Sequence, residues 1–245
     1  MDILDSMKDI VKYTHSLGIM EMVKVIGTAT DAKIETKDAD NTVIVYGSMY
    51  QPITGIDSTV GLSRLAILKG FIGMHDKSKV SIKTENRQGV DVPTDIVFNN
   101  GAGFISNYRF MSEQMVNDHI KVPPFKGATW DVTFSPEKAS IALLSESFSI
   151  LGALEKRFTV KVDNGTLNFN IGTGPTDTVK VPFAANVTGN LKHEWTYPLS
   201  QVLGILKLSD TSSSAVMSFS DMGALKIQLD SGIGNYSYIL PAGRA

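Results

Sequence analysis

One pentapeptide occurs twice with a single change: Leu65-Ala66-Ile67-Leu68-Lys69 returns as Leu203-Gly204-Ile205-Leu206-Lys207. Each copy reads as apolar helix, and each leads through a polar loop into a strand-like run. The first loop is 74–77, before Lys79-Val80-Ser81-Ile82-Lys83; the second is 211–214, before Ala215-Val216-Met217-Ser218-Phe219. The helical segments end at 69 and 207, 138 apart, and the strands align at 80 and 216, 136 apart. Chance patterning of Leu and Ile can explain one short match. A helix–loop–strand order kept at nearly one separation points instead to a chain made of two similar halves.

The second copy is the clearer of the two. Leu199, Val202, Leu203 and Leu206 recur at helical spacing, and Pro198 suits a first helical position. The polar stretch 209–214 ends that helix. Strand-like runs follow at 215–219, 224–229 and 236–240, separated by Asp221-Met222-Gly223 and Ser231-Gly232-Ile233-Gly234.

From the beginning, residues 2–18 read as a helix with Ile3, Met7, Ile10, Thr14 and Leu17 on one face and Gly18 as its C-cap. Lys8 and Lys12 point away from that face, with Asp5 and Asp9 on the same polar side and His15 at the margin. Strands are expected at 22–28, 32–36 and 42–46. A second helix over 62–72 carries Arg64 and Lys69 and no acid, and strands follow at 80–84, 90–92, 96–99 and 104–111.

Residues 112–128 break the pattern. Pro123-Pro124 prevents both helix and central strand, so this segment is expected to connect a domain at 1–111 to one at 129–245. Its apolar members Val116, Ile120, Val122 and Phe125 exceed what a solvated linker needs. They either pack on the domain beneath or border a partner's groove.

The second half opens with a strand at 129–134. Ser135-Pro136 then signals a helix, with Ser as N-cap and Pro at the first position. Ile141, Leu144, Phe148 and Leu151 form its stripe, and Lys138 sits near its start. Asn164-Gly165 accepts positive φ at both turn positions and predicts a type I′ hairpin between 157–163 and 166–171. Strands at 176–183 and 192–196 lead to the fourth helix. Short helices that each cover one face of an antiparallel sheet make the fold class α+β.

Several chemistries are excluded. There is no cysteine, so no disulfide and no thiolate zinc site, and His15, His75, His119 and His193 show no metal-ligand spacing. Gly172-Thr173-Gly174-Pro175 lacks the third glycine and the helix of a dinucleotide site. No metal, no cofactor and no catalytic residue is expected, and the chain reads as a non-enzyme. Apolar content of 42% and a net charge of −2 suit a soluble globular protein and argue against a dedicated basic nucleic-acid binder. No apolar run reaches membrane-spanning length, and the opening Met1-Asp2-Ile3-Leu4-Asp5 is no signal peptide.

The arrangement resembles the two-domain DNA sliding clamps, the ring class that includes proliferating cell nuclear antigen and the replication clamps of tailed phages. The residues that carry the resemblance are Ile67-Leu68-Lys69, Lys207, Asp221-Met222-Gly223 and the closing Tyr236-Ser237-Tyr238-Ile239-Leu240-Pro241. Length, repeat and connector fit it over essentially the whole chain, and the short first strand and sparse basic residues are closest to the phage type.

The resemblance implies two similar domains, each with two helices on antiparallel sheet, assembled as a homotrimeric ring around double-stranded DNA. Such a ring contacts phosphate without reading sequence and tethers a DNA polymerase after a clamp loader has opened it. It would work inside a cell, on replicating DNA, in a host's cytoplasm if phage-encoded. Lys69 and Lys207 match basic positions of the family's inner helices; Lys8, Lys12, Arg64 and Lys138 follow by their place on expected helices. For each, an ordinary surface cation is the alternative. The partner pocket would lie at Ile120, Val122, Pro124 and Phe125 with Ile239, Leu240 and Pro241. Subunits would join through the strand bearing Phe104, Ile105, Tyr108 and Phe110 and the strand bearing Val179 and Val181. A non-enzymatic β-rich structural protein of a virion is the competing reading.

Overall fold

The computed structural model describes residues 1–75, 78–175 and 177–244, with the backbone alone at 244. The chain divides into two compact units. Unit 1 comprises Met1–Pro123 with Ile233–Tyr236, and unit 2 comprises Pro124–Gly232 with Ser237–Ala245.

In unit 1, helix α1 (Ile3–Tyr13) opens the chain, with the Asp2 carboxylate accepting from the N–H groups of Leu4 and Asp5. The helix is shorter than its apolar periodicity predicts. The Thr14 hydroxyl donates to the Ile10 carbonyl, the acceptor that a further turn would need, and His15–Leu17 continue as a 3-10 turn closed by Gly18 at φ 73°. Strands β1 (Met22–Gly27), β2 (Ala32–Lys37), β3 (Ile44–Met49) and β4 (Thr59–Ser63) follow. They lie in the order β4-β1-β2-β3 with antiparallel neighbours, and residues of alternate position are buried.

Helix α2 (Leu65–Met74) packs beside α1. The expected helix over 62–72 is corrected at its start: Leu62 and Ser63 belong to β4, and Arg64 turns the chain with φ 53° and ψ 50°. A second sheet has the order β5-β6-β7, formed by β5 (Lys79–Arg87), β6 (Val90–Asn99) and β7 (Ile105–Arg109). Sequence reasoning missed helix α3 (Glu113–His119), capped by Ser112, inside the expected connector. Pro123-Pro124 breaks structure only after it.

In unit 2, β8 (Val132–Phe134) precedes α4 (Lys138–Leu151). Ser135-Pro136 is not the helix start, because Glu137 is the N-cap and Lys138 the first helical residue. Strands β9 (Arg157–Asp163), β10 (Thr166–Ile171), β11 (Val179–Ala184) and β12 (Trp195–Pro198) come next, then α5 (Leu199–Leu208), which packs beside α4. Of the strand expected at 176–183, Thr176 lies outside the described residues; so do 76 and 77 of the first polar loop. Strands β13 (Ser214–Ser220), β14 (Ala224–Asp230), β15 (Gly234–Pro241) and β16 (Gly243–Arg244) complete the chain. One sheet has the order β11-β10-β9-β12-β16, the other β15-β14-β13-β8. The Asn164-Gly165 hairpin has positive φ at both residues, 49° and 75°, as its sequence predicts.

An aromatic core joins the two sheets of unit 2. Phe169 stacks on Phe183 at 4.2 Å and lies 4.5 Å from Phe158, while Phe219 of β13 meets Phe169 at 6.0 Å and Tyr197 at 5.5 Å. Such pairs add about 0.5–1.5 kcal/mol each beyond the area they bury.

The two halves repeat element by element. α1 and α4 begin at 3 and 138, β1 and β9 at 22 and 157, β3 and β11 at 44 and 179, β5 and β13 at 79 and 214, each start 135 residues after its counterpart. The matching pentapeptides are therefore out of step with the structural repeat by about one helical turn. Leu65 is the first residue of α2, while Leu203 is the fifth of α5. A shift of one turn returns a side chain to the same face, so the apolar pattern survives it.

Candidate functional site: helix cations, sheet edges and the connector

The six candidate cations fall on or beside helices. Lys8 and Lys12 are half-buried on α1, and the Lys12 ammonium lies 5.1 Å over the Tyr13 ring. Arg64 is exposed at the N-cap of α2 rather than within it, and Lys69, Lys138 and Lys207 are exposed on α2, α4 and α5. Asp9, expected on the polar side of α1, is instead buried and accepts from the Tyr236 phenol.

Several cations on strands are paired with acids. Lys24 pairs with Glu35, Arg109 with Asp95 and Glu85, Lys161 and Lys180 with Asp163. Among the described residues, Lys12, Arg64, Lys69, Lys138 and Lys207 join no ion pair. An unpaired exposed cation is available to an external anion.

The two strands expected to join subunits are both outermost in their sheets, β7 in unit 1 and β11 in unit 2. Pro182 on β11 fits an edge position, where a missing N–H breaks no interior ladder. Beside β7, Phe104 and Ile105 are exposed, and Phe104 stacks on His75 at 4.9 Å. The His75 ring is itself buried, with its nitrogens 2.9 Å from the hydroxyls of Ser78 and Ser106.

Tyr108, Phe110 and Val181 are buried, so their side chains serve the fold and only their backbone can join an edge; Val179 is half-buried. The Tyr108 phenol donates to the Ser63 carbonyl, and burial pushes its pKa up to about 12. Exposed apolar side chains also stand on the helices, Ile67 and Met74 on α2 and Leu143 and Ile150 on α4, the helix packed against β11.

The connector is fastened separately in each unit. In unit 1 the Tyr46 phenol donates to the Pro123 carbonyl at 2.5 Å. Ile120 is buried, and Val122 half-buried. Ile120 and His119 form one wall of a hollow of about 280 Å³, whose other walls are Ile19, Glu21, Met22, Lys37, Asp38 and Ala39. In unit 2, Pro124 is exposed, and Phe125 stacks on Trp130 at 6.1 Å, with the Lys226 ammonium 4.9 Å over Trp130.

Ile239 and Leu240 are buried, leaving Pro241 as the exposed member of that expected set. The tail does not leave the sheets at Pro241. Gly243 and Arg244 pair with Thr196 and Trp195, and the Ala242 N–H donates to the Gly223 carbonyl at 3.0 Å.

Asp221 organises the turn beneath that tail. Its carboxylate accepts from the N–H groups of Lys192 and His193 at 2.7 and 2.9 Å and lies 3.0 Å from the His193 ring. Its own N–H donates to the Asp131 carboxylate at 2.7 Å, and its carbonyl accepts from the Trp195 indole at 2.9 Å. Residues 192–194, expected as strand, are held here as a loop. Among the described residues no group of three His, Asp or Glu side chains could hold a metal. Nor, among them, is any helix long and apolar enough to cross a membrane.

No protein-family model matches the chain. No curated protein matches it either. Among solved structures it is similar to the proliferating cellular nuclear antigen of Entamoeba histolytica, with a TM-score of 0.68 and 12% identity over 96% of this chain and 94% of that one. The chain thus has the sliding-clamp fold: α+β, with helices over antiparallel sheets.

Proposed function

We propose that the chain is a DNA sliding clamp, a non-enzymatic processivity factor that encircles duplex DNA and tethers a replicative polymerase. The fold supports this reading, and the observation that carries it is the set of exposed, unpaired cations on or beside three of its helices. On strands, Lys24, Arg109, Lys161 and Lys180 are neutralised by nearby acids, while among the described residues Lys69 on α2, Lys138 on α4 and Lys207 on α5 join no ion pair. Lys8, Lys12, Arg64, Lys69, Lys138 and Lys207 would meet phosphate, which gives grip without sequence preference. In this reading the domains are 1–111 and 129–245, joined by 112–128.

Three copies would close head to tail. Closure satisfies the outer edges of β7 and β11, which would otherwise invite uncontrolled pairing. The exposed Phe104 and Ile105 beside one edge and Leu143 and Ile150 near the other supply apolar cover. The hollow beside Ile120 would take a side chain of a polymerase or loader peptide, and Pro241 would offer the same partner a foothold on the tail. The sparse helix cations favour a phage-type clamp acting on replicating DNA within a host cell.

Sedimentation with light scattering, followed by primer extension with polymerase and loader, tests the proposal. A trimer that raises processivity supports it. A monomer, or a particle that polymerises without stimulating synthesis, favours a structural role.

A further inference from the structure

The repeat exposes an edge in unit 1 that its counterpart in unit 2 covers. β13 follows α5 and is flanked by β14 on one side and β8 on the other, with Met217, Ser218 and Phe219 opposite Phe134, Thr133 and Val132. β5 follows α2 in the same way and pairs with β6, but among the described residues no strand lies on its other side.

The exposed edge is long, and it is two-faced. Lys79, Ser81 and Lys83 are exposed and alternate with half-buried Val80 and Ile82. Ile82 is backed by the 50–58 loop, since a Cβ at Gly55 would come within 3.0 Å of it. Residue for residue, β13 is buried where β5 is open: Met217, Ser218 and Phe219 are inaccessible, while Lys83 and Thr84 face solvent. Lys79 and Lys83 join no ion pair among the described residues, because Asp95, opposite Lys83, is taken by Arg109.

We propose that the outer edge of β5 is a strand-addition site for an extended acidic peptide of a partner protein. The peptide runs antiparallel to β5, as β8 runs to β13. Its backbone fills the open ladder, its acidic side chains lie beside Lys79 and Lys83, and its alternate apolar side chains extend the row of Val80 and Ile82. Charge selects this occupant over a second copy of the chain: two β5 strands paired antiparallel would set lysines against lysines. Lysines on an edge are a known guard against self-pairing, and the same lysines attract an acidic strand.

The test uses the whole protein and three blocked hexapeptides: EVEVEV, KVKVKV and the block-ordered EEEVVV. Calorimetry gives affinity and hydrogen exchange gives location. EVEVEV is expected to bind and to slow exchange at alternate amides of 79–83, with EEEVVV on the order of tenfold weaker. Lys79→Glu with Lys83→Glu, both at exposed positions, should exchange the preference to KVKVKV. Equal binding of EVEVEV and EEEVVV would reduce the effect to non-specific charge and overturn the proposal. So would no binding, protection elsewhere, a double variant with unchanged preference, or protection in the protein alone of those amides of 79–83 that face away from β6.

Discussion

The phenol of Tyr236 donates a 2.8 Å hydrogen bond to the carboxyl of Asp9, joining residues 227 positions apart. Both residues are buried, and the Tyr13 ring stacks on Tyr236 at 4.8 Å. Tyr236→Phe keeps the ring and removes one donor from a buried carboxyl. Bonds to charged groups are worth about 1.5–3 kcal/mol, and a loss of that size is expected in urea unfolding. Asp9→Asn, which still accepts, should lose less. Equal midpoints for wild type and Tyr236→Phe would show the bond to contribute nothing.

Asp221 makes stability depend on pH. Partial burial pushes its carboxyl up, but the backbone N–H groups of His193 and Lys192 and the His193 ring outweigh this and hold it below its ordinary value of 3.8. A depressed folded-state value means that the stabilisation is complete above the unfolded value and is lost as pH falls through the folded one. Asp221→Asn should therefore lower Tm at neutral pH, and the gap to wild type should narrow below about pH 4. A gap that stays constant down to low pH would assign the loss to geometry rather than charge.

Lys69→Glu with Lys207→Glu should weaken loading onto DNA while trimer formation and Tm stay near wild type, since surface changes of this kind cost about 0.5 kcal/mol or less. The slope of log affinity against log salt should become shallower by about 0.9 for each phosphate left without its cation. Unchanged loading at several salt concentrations would remove these two residues from the DNA-facing set.

Edge pairing is best probed away from Tyr108, whose burial would confound any substitution there. Ile105→Glu and Ile150→Glu change exposed side chains beside β7 and on α4. Each should shift the sedimentation profile from trimer towards monomer without lowering the monomer's cooperativity of unfolding. A trimer that survives both changes would place the subunit interface elsewhere.

For the partner site, Ile120→Asp is expected to cost about 2–5 kcal/mol of stability because it buries a charge in the wall of the unit. Ala39→Trp instead fills the hollow from a loop and should abolish binding of a polymerase C-terminal peptide in calorimetry with little change in Tm. Wild-type affinity in that variant would exclude the hollow.

Much of this architecture is legible in the residues themselves. Asn164-Gly165 fixes its turn because both residues tolerate positive φ, and the strands alternate as their β-branched runs suggest. Other features have no local signal. Arg64 carries φ 53° without being Gly or Asn. Ser112-Glu113 is a usable helix start, overshadowed by Pro123-Pro124 ten residues on. The hollow beside Ile120 is assembled from Ile19, Glu21, Lys37 and Ala39, a set that only tertiary folding collects. Asp221 shows in the sequence only as a turn residue, since its partners arrive from 131 and 192–195.

Unit 1 takes its last four residues, Ile233–Tyr236, from near the end of the chain. During synthesis, the N-terminal segment must wait for more than a hundred further residues before Tyr236 can reach Asp9 and Tyr13. Domains otherwise tend to fold as they emerge. A nascent chain stalled at 123 should thus hold an unfinished unit, more open to protease than the same residues in the released protein, and the first unit is completed only after most of the second has been made.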